Sequence, residues 1–339
     1  MNETWFIILA AMLTIYAVLD GFDLGVGALL PWICRTENER IQARESIGPV
    51  WNGNEVWLIA AGAAMFMAFP LLYAASFSGF YLALMLVLWL LILRGVGFEF
   101  RHAYHSPMWT GLWDVVFSAA SSLLAVLFGI AVGNVLRGVP LNHSEEFQGS
   151  FAVLLNPFSL LGGVLSLTTL SMHGSAFLAV KTHAELQERA RSWVLPLWMG
   201  TLVLTLGFVG FSFFVRPDFT VNYLNHPLLF ILPLFAVFSI ATIPYFSRQR
   251  KYGQLFCATS CLIAALLGSA AAGLFPRLLP ALQDSNVNSL TIYNSSSSHH
   301  SLVTGLIMNL VGMGVAVAYT SYVYKIWWGK VPLQKTTDH

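Results

Sequence analysis

The most telling scarcity in this chain is charge. Of 339 residues only 10% are charged, while 57% are hydrophobic. Soluble domains carry about 25% charged residues, so a soluble globular protein is excluded. The mean hydropathy of +0.69 agrees. Net charge is also nearly absent, at +1, which argues against nucleic acid or a strongly acidic partner. Cysteine is scarce: Cys34, Cys257 and Cys261 show no metal or redox spacing and read as small apolar residues. No internal repeat, nucleotide loop, catalytic triad or zinc spacing is visible. The opening "MNETWFIILA" lacks the positive region of a cleavable signal, and its apolar stretch is as long as a full span.

Long apolar runs dominate instead. A transmembrane helix needs roughly 20 mostly apolar residues. Nine candidates meet this, near 5–31, 52–72, 75–97, 113–136, 153–180, 193–215, 227–247, 254–275 and 303–326. The expected fold is all-α, a single integral-membrane domain over 1–339 with about nine transmembrane helices. The polar tract "NSLTIYNSSSSHH" makes 276–302 an expected exposed periplasmic loop. With the N-terminus outside and the C-terminus cytoplasmic, 14 of the 17 lysines and arginines fall on the inner side. Only Arg137, Arg216 and Arg277 fall outside, which is the positive-inside bias. Trp5 and the pair Trp327–Trp328 are placed as interfacial anchors.

Polar residues interrupt the first three spans. In "LDGFDLGVG", Asp20 and Asp23 are three apart and share a helix face, and Gly21 and Gly25 form a small-xxx-small pair. The second span opens on "GPVWNGNEVW". Asn52 and Glu55 there form one polar patch with Trp51, while Trp57 looks elsewhere. A plain helix start, with Asn52 or Asn54 as cap, is the competing reading. The third span ends in "LRGVGFEFR", with Arg94, Glu99 and Arg101. A snorkelling boundary arginine is the simpler account of Arg94. All three clusters are expected toward the inner leaflet. Four carboxyls against two guanidiniums leave excess negative charge, which protons can balance. The set reads equally as a proton-uptake path or as a buried ion-pair knot holding the bundle. His173 is the one intramembrane histidine, whereas a buried b-type haem wants two axial ligands. It reads as a hydrogen-bonding residue at the inner end of its helix. "GNVLRGVP" and "LLNPFSLLGG" suggest fixed turns and close packing near the outer side.

These stretches resemble subunit II of the cytochrome bd quinol oxidase family, which includes the cyanide-insensitive oxidases. The segments are "DGFDLGVG" (20–27), "GPVWNGNEVWLI" (48–59), "FPLLYAASFSGFYLALMLVL" (69–88), "RGVGFEFR" (94–101), "GNVLRGVPLN" (133–142) and "LLNPFSLLGG" (154–163). They run in the family's order over the first half; the second half matches mainly in length and span count. The resemblance implies a multi-pass protein of the bacterial inner membrane and a partner, subunit I, carrying haem b, haem d and the quinol site. Quinol and oxygen would be the substrates of that complex. This chain would be a haem-free partner that scaffolds subunit I and contributes to proton uptake, an oxygen route or a structural quinone site. A small accessory subunit is compatible with it. By this resemblance Trp57 lies beside the oxygen or interface region, with Trp51 its companion, and Asp20 near the proton route. Glu99 and Arg101 match the acidic and basic positions of the third motif. The residue after Trp51 is often aspartate in the family. Here it is Asn52, which cannot hand on a proton, and Glu55 on nearly the same face is the candidate substitute. A proton-coupled transporter and a purely structural assembly subunit are the alternative functions.

Overall fold

The computed structural model describes residues 1–104, 106–142, 147–283 and 288–332. Lys335, counted with the inner-side charges, and the loop or terminal histidines His105, His143 and His339 lie outside the described residues. The chain is helical almost throughout: α1 (Asn2–Ile33), α2 (Glu37–Ile47), α3 (Trp51–Ala68), α4 (Pro70–Gly79), α5 (Tyr81–Glu99), α6 (Pro107–Arg137), α7 (Phe151–Leu154), α8 (Pro157–Lys181), α9 (Ala184–Val215), α10 (Val221–Asn225), α11 (Ile231–Arg248), α12 (Tyr252–Leu274) and α13 (His299–Ile326).

Among the described residues, eight helices are long and apolar enough to cross a membrane: α1, α5, α6, α8, α9, α11, α12 and α13. The expected ninth, at 52–72, is not among them. Its counterpart α3 has 18 residues and opens on Asn52, Asn54 and Glu55, which shortens its apolar run. The expected boundary between the second and third spans also moves. Phe69 leaves the helical region at φ −135°, ψ 68°, because Pro70 disfavours helix in the residue before it. A short α4 intervenes before α5 starts at Tyr81. The carbonyls freed at the end of α3 are not left bare. Ser297 N–H donates to Ala68 O at 2.9 Å, and its Oγ donates to Met67 O at 2.6 Å.

The polar tract therefore does more than cover a surface. Within 276–302, strands β1 (Arg277–Leu279) and β2 (Leu290–Thr291) pair antiparallel. Leu279, Ala281, Leu290 and Ile292 enter the core beside Trp5 and Phe69. Among its described residues the expected exposed loop is partly buried, with Leu279, Ala281, Leu290 and Ile292 pointing inward and Leu282, Tyr293 and residues 298–301 exposed. Trp5 is also not a lipid-facing anchor. It is fully buried and its Nε1–H donates to Leu302 O at 3.1 Å. Trp327 and Trp328 are exposed, as anchors should be.

α8 lies at the centre, against α1, α6, α9 and α12. Glycine makes the closest approach possible. A Cβ on Gly25 would sit 1.9 Å from Leu170 O, and one on Gly174 would sit 2.4 Å from the Gly25 carbonyl carbon. At the other end of α6, Asn134 Nδ2 donates to Leu154 O at 2.8 Å and Asn156 Nδ2 donates to Asn134 Oδ1 at 3.0 Å. The turns expected from "GNVLRGVP" and "LLNPFSLLGG" are thus tied to each other. α13 is peripheral and leans mainly on α3.

Candidate functional site

α1, α3 and α5 bring one polar cluster into the bundle. Asp20 and Asp23, a turn apart on α1, are both fully buried. Arg94, near the end of α5, is 1% exposed. Its guanidinium grips Asp20 with both arms, Nη2 to Oδ1 at 2.7 Å and Nη1 to Oδ2 at 3.1 Å. The same Nη1 donates to Glu55 Oε1 at 3.0 Å. Asp23 Oδ2 lies 3.9 Å from Nη2 and accepts from Asn54 Nδ2 at 2.7 Å. Asp23 Oδ1 has no hydrogen-bond partner among the described residues. Three carboxyls thus share one guanidinium, and only Glu55 keeps appreciable exposure, at 25% of its side chain. Such a cluster is stable only while its charges stay paired, since an uncompensated buried charge costs about 3–5 kcal/mol.

The other expected members lie elsewhere. Asn52 is exposed on α3, and Glu99 is exposed on α5. Glu99 is five residues past Arg94, about 140° around the helix, so it turns away. Trp51 is buried against Phe98 (ring centroids 5.5 Å apart) and against Gly95. Trp57 is buried in the apolar core with Trp5 and Ala61. The two tryptophans therefore pack on different neighbours.

Arg101 belongs to a second cluster. It reaches Asp114 on α6 with Nε at 2.8 Å and Glu37 on α2 with Nη2 at 2.6 Å. Arg44 of α2, 2% exposed, joins from the other side, its Nη2 2.8 Å from Asp114 Oδ1. Its guanidinium carbon also lies 4.4 Å from the Phe117 ring centroid. Asp114, Arg44 and Glu37 were not singled out in the sequence. An aspartate seven residues into a long apolar helix, in "WTGLWDVVF", was the available signal.

Beside it, α2 is anchored to α9. Thr36 and Glu39 form a capping box, and Arg189 Nη1 donates to Glu39 Oε2 at 2.8 Å and to Ile33 O at 2.7 Å. Burial alone would raise the Glu39 carboxyl. Arg189 and the backbone N–H groups of Arg35 and Thr36 outweigh it and hold the group below its ordinary range. Burial pushes the Cys34 thiol up to about 12, which makes it unreactive.

His173 does not fit an axial haem ligand. Its Nε2 lies 3.0 Å from Val18 O and its Nδ1 lies 2.8 Å from Thr259 Oγ1. The ring stacks on Phe256 at 4.7 Å and meets Phe22 edge-on. Both nitrogens are engaged in joining α8 to α1 and α12. No group of three or more His, Cys, Asp and Glu suited to a metal occurs among the described residues.

Known proteins are similar to this chain in sequence and in fold. The sequence model of the family described as cytochrome bd terminal oxidase subunit II matches residues 1–327. The chain is 36% identical to a probable cytochrome oxidase subunit 2 of Haemophilus influenzae, covering 96% of this chain and 94% of that one. It is 32% identical to the cytochrome bd-I ubiquinol oxidase subunit 2 of Escherichia coli, with the same coverage. It is also 32% identical to the cytochrome bd ubiquinol oxidase subunit 2 of Bacillus subtilis, covering 89% and 88%. A chain of the bd oxidase from Geobacillus thermodenitrificans has a similar fold, with a TM-score of 0.78 at 17% identity over 96% of this chain and 98% of that one. The chain belongs to the cytochrome bd terminal oxidase subunit II family.

Proposed function

We propose that this chain works in a bacterial inner membrane as the haem-free subunit II of a bd-type quinol:oxygen oxidoreductase. It scaffolds a subunit I that carries haem b and haem d, and the Asp20–Asp23–Glu55–Arg94 cluster handles protons drawn from the cytoplasm. One observation carries the proton role: three carboxyls share a single buried guanidinium, and one of them, Glu55, is part-exposed. Oxygen reduction consumes protons, and a site short of positive charge keeps near neutrality by holding them. Glu55 exchanges with water, Arg94 links it to Asp20, and Asp23 Oδ1 is free to carry a proton. Asn52, exposed and without an acidic group, takes no part. The charge bias of the loops supports the orientation with the N-terminus outside, in which this cluster lies toward the cytoplasmic end. Trp57, buried in the apolar core among Trp5, Ala61 and Ala64, suits an oxygen route or the subunit interface, and Trp51, packed separately on Phe98, is a candidate for the same role. A structural quinone and a small accessory subunit remain compatible with the surface.

The test is a complex purified through a tag on this chain. Visible b- and d-type haem bands in that preparation report assembly with subunit I. Asp20→Asn and Glu55→Gln then separate the roles. Quinol-oxidase turnover per haem should fall by about tenfold or more while the haem bands persist. Loss of the haem bands would assign the cluster to assembly alone.

A further inference from the structure

A neutral amide sits in the middle of this acid cluster. Asn54 is fully buried, and all its polar atoms are spent. Nδ2 donates to Asp23 Oδ2 at 2.7 Å and to Leu19 O at 3.2 Å. Oδ1 accepts from the Tyr324 hydroxyl at 3.1 Å. The Leu19 carbonyl can only accept, so the NH2 end of the amide must face α1. That choice sets the whole chain: Tyr324 donates to Asn54, and Asn54 donates to Asp23. An amide held this way passes no proton, because its oxygen has none to give and its N–H protons do not leave.

Tyr324 also borders a small crevice between α3 and α13, whose walls include Pro49, Gly53, Tyr319 and Thr320. Its volume is about 10 Å³, room for at most about one water. The end of α13 is anchored to α8: Lys181 Nζ donates to Trp327 O and to Gly329 O, and Val331 N–H donates to Lys181 O at 2.9 Å. A second approach to Asp23 therefore lies one side chain away from the crevice. Neighbouring positions on α3 differ by about 100° around the helix. Asn54 faces this side, and Glu55 faces Arg94.

We propose that Asn54 and Tyr324 are positioning residues that close the acid cluster toward the α3–α13 crevice, so that protons reach it through Glu55 alone. The inference rests on the proton-handling reading of the cluster. The groups facing Asp23 are Asp20 on α1, Asn54 and Glu55 on α3, Arg94 on α5 and Tyr324 on α13, and Tyr16 on α1 faces Asp20. Among the described residues, the amide and the phenol are what intervene on the crevice side. A carboxyl at position 54 would turn the closed side into an entrance.

The experiment uses the tagged two-subunit complex and compares Glu55→Gln with Asn54→Asp/Glu55→Gln. The readouts are haem content and turnover per haem between pH 6 and 8. Glu55→Gln should slow turnover about tenfold, and the double variant should recover to within about threefold of the native rate. A merely structural asparagine predicts further loss instead. If Glu55→Gln is slow and the double variant no faster at full haem content, the closure is overturned and the role of Glu55 stands. If Glu55→Gln turns over at the native rate, the proton reading falls and the closure with it. Should the double variant fail to assemble, Asn54→Ser in the Glu55→Gln background asks the same question, because a hydroxyl, unlike the amide, both accepts and donates a proton. A gain of about twofold or more over Glu55→Gln supports the closure, and no gain overturns it.

Discussion

The two ion-pair clusters at the same end of the bundle are built from the same side chains and balanced oppositely. Around Arg94, one guanidinium serves Asp20, Asp23 and Glu55. Around Asp114, one carboxylate receives Arg44 and Arg101, with Arg40 at 3.9 Å and Glu37 on the far side of Arg101. The first cluster is short of positive charge by two, and the second has one to spare. Protons can correct only the first kind of imbalance, because arginine keeps its proton under all ordinary conditions. Similar composition therefore supports different roles. The Arg94 cluster suits proton traffic, whereas the Asp114 cluster is a clamp joining α2, α5 and α6.

Breaking the comparison should hurt most at Arg94. Arg94→Met leaves three carboxyls without a cation and should cost about 3–5 kcal/mol, read as loss of haem-containing complex from the membrane. Asp114→Asn comes next. It strips the anion from between Arg44 and Arg101 and should cost about 2–4 kcal/mol. A lowered thermal midpoint of the purified complex checks this, while turnover per haem should stay near native in the fraction that assembles. If turnover falls instead, the assignment of the second cluster as a clamp is wrong. Gly25→Ala tests the frame that holds α1 beside both. Its new methyl meets the Leu170 carbonyl and must push α1 from α8, with an expected cost of about 1–3 kcal/mol in the same melting assay.

The smallest effect belongs to the Glu39–Arg189 pair beside the clamp. The folded Glu39 carboxyl lies below its ordinary range, so its contribution is present above the unfolded carboxyl pKa of about 4.3. It is lost as pH falls through the lowered value. Between pH 7 and pH 3 the native complex should lose slightly more thermal stability than Glu39→Gln, by well under about 1 kcal/mol. Equal slopes would remove this pair from the account. A similar clasp at the opposite end of the bundle joins Asp218 to Arg216 and Arg277. There Arg216 first, and Arg277 with it, holds the aspartate well below the usual carboxylate range.

Helical phase made part of the candidate site legible. Asp20 and Asp23 share a face because they are three apart, and Asp23 meets the polar start of α3 directly while Asp20 meets it through Arg94. The same phase argument, carried further, would have removed Glu99, which turns about 140° from Arg94. Arg101 was harder to place. It follows Arg94 by seven residues and so nearly shares its face, yet it lies two turns further along the axis, about 10.5 Å at 1.5 Å per residue. That offset carries it past Asp20 to Asp114. Asn54 read as a helix cap because caps are what asparagine near a helix start usually provides. Only a neighbour 270 residues away, Tyr324, reveals its orientation.

Composition and periodicity by themselves determined that this is an all-α membrane protein. They also placed most spans and marked α1, α3 and α5 as carriers of buried charge. Those properties are local, since hydropathy and 3.6-residue phase act within one helix. The motifs at 20–27, 48–59 and 94–101 likewise placed the chain in its family. Tertiary structure alone decided that Arg94 and Arg101 go to separate clusters, Arg94 with Asp20, Asp23 and Glu55 and Arg101 with Asp114 and Glu37, while Glu99 joins neither, because axial offset between packed helices leaves no trace in the sequence of either. It alone showed that the polar tract at 276–302 caps α3 and enters the core. It also decided that Asn54 faces a crevice while Glu55 faces Arg94, because the rotation of α3 is set by the helices packed on both its sides.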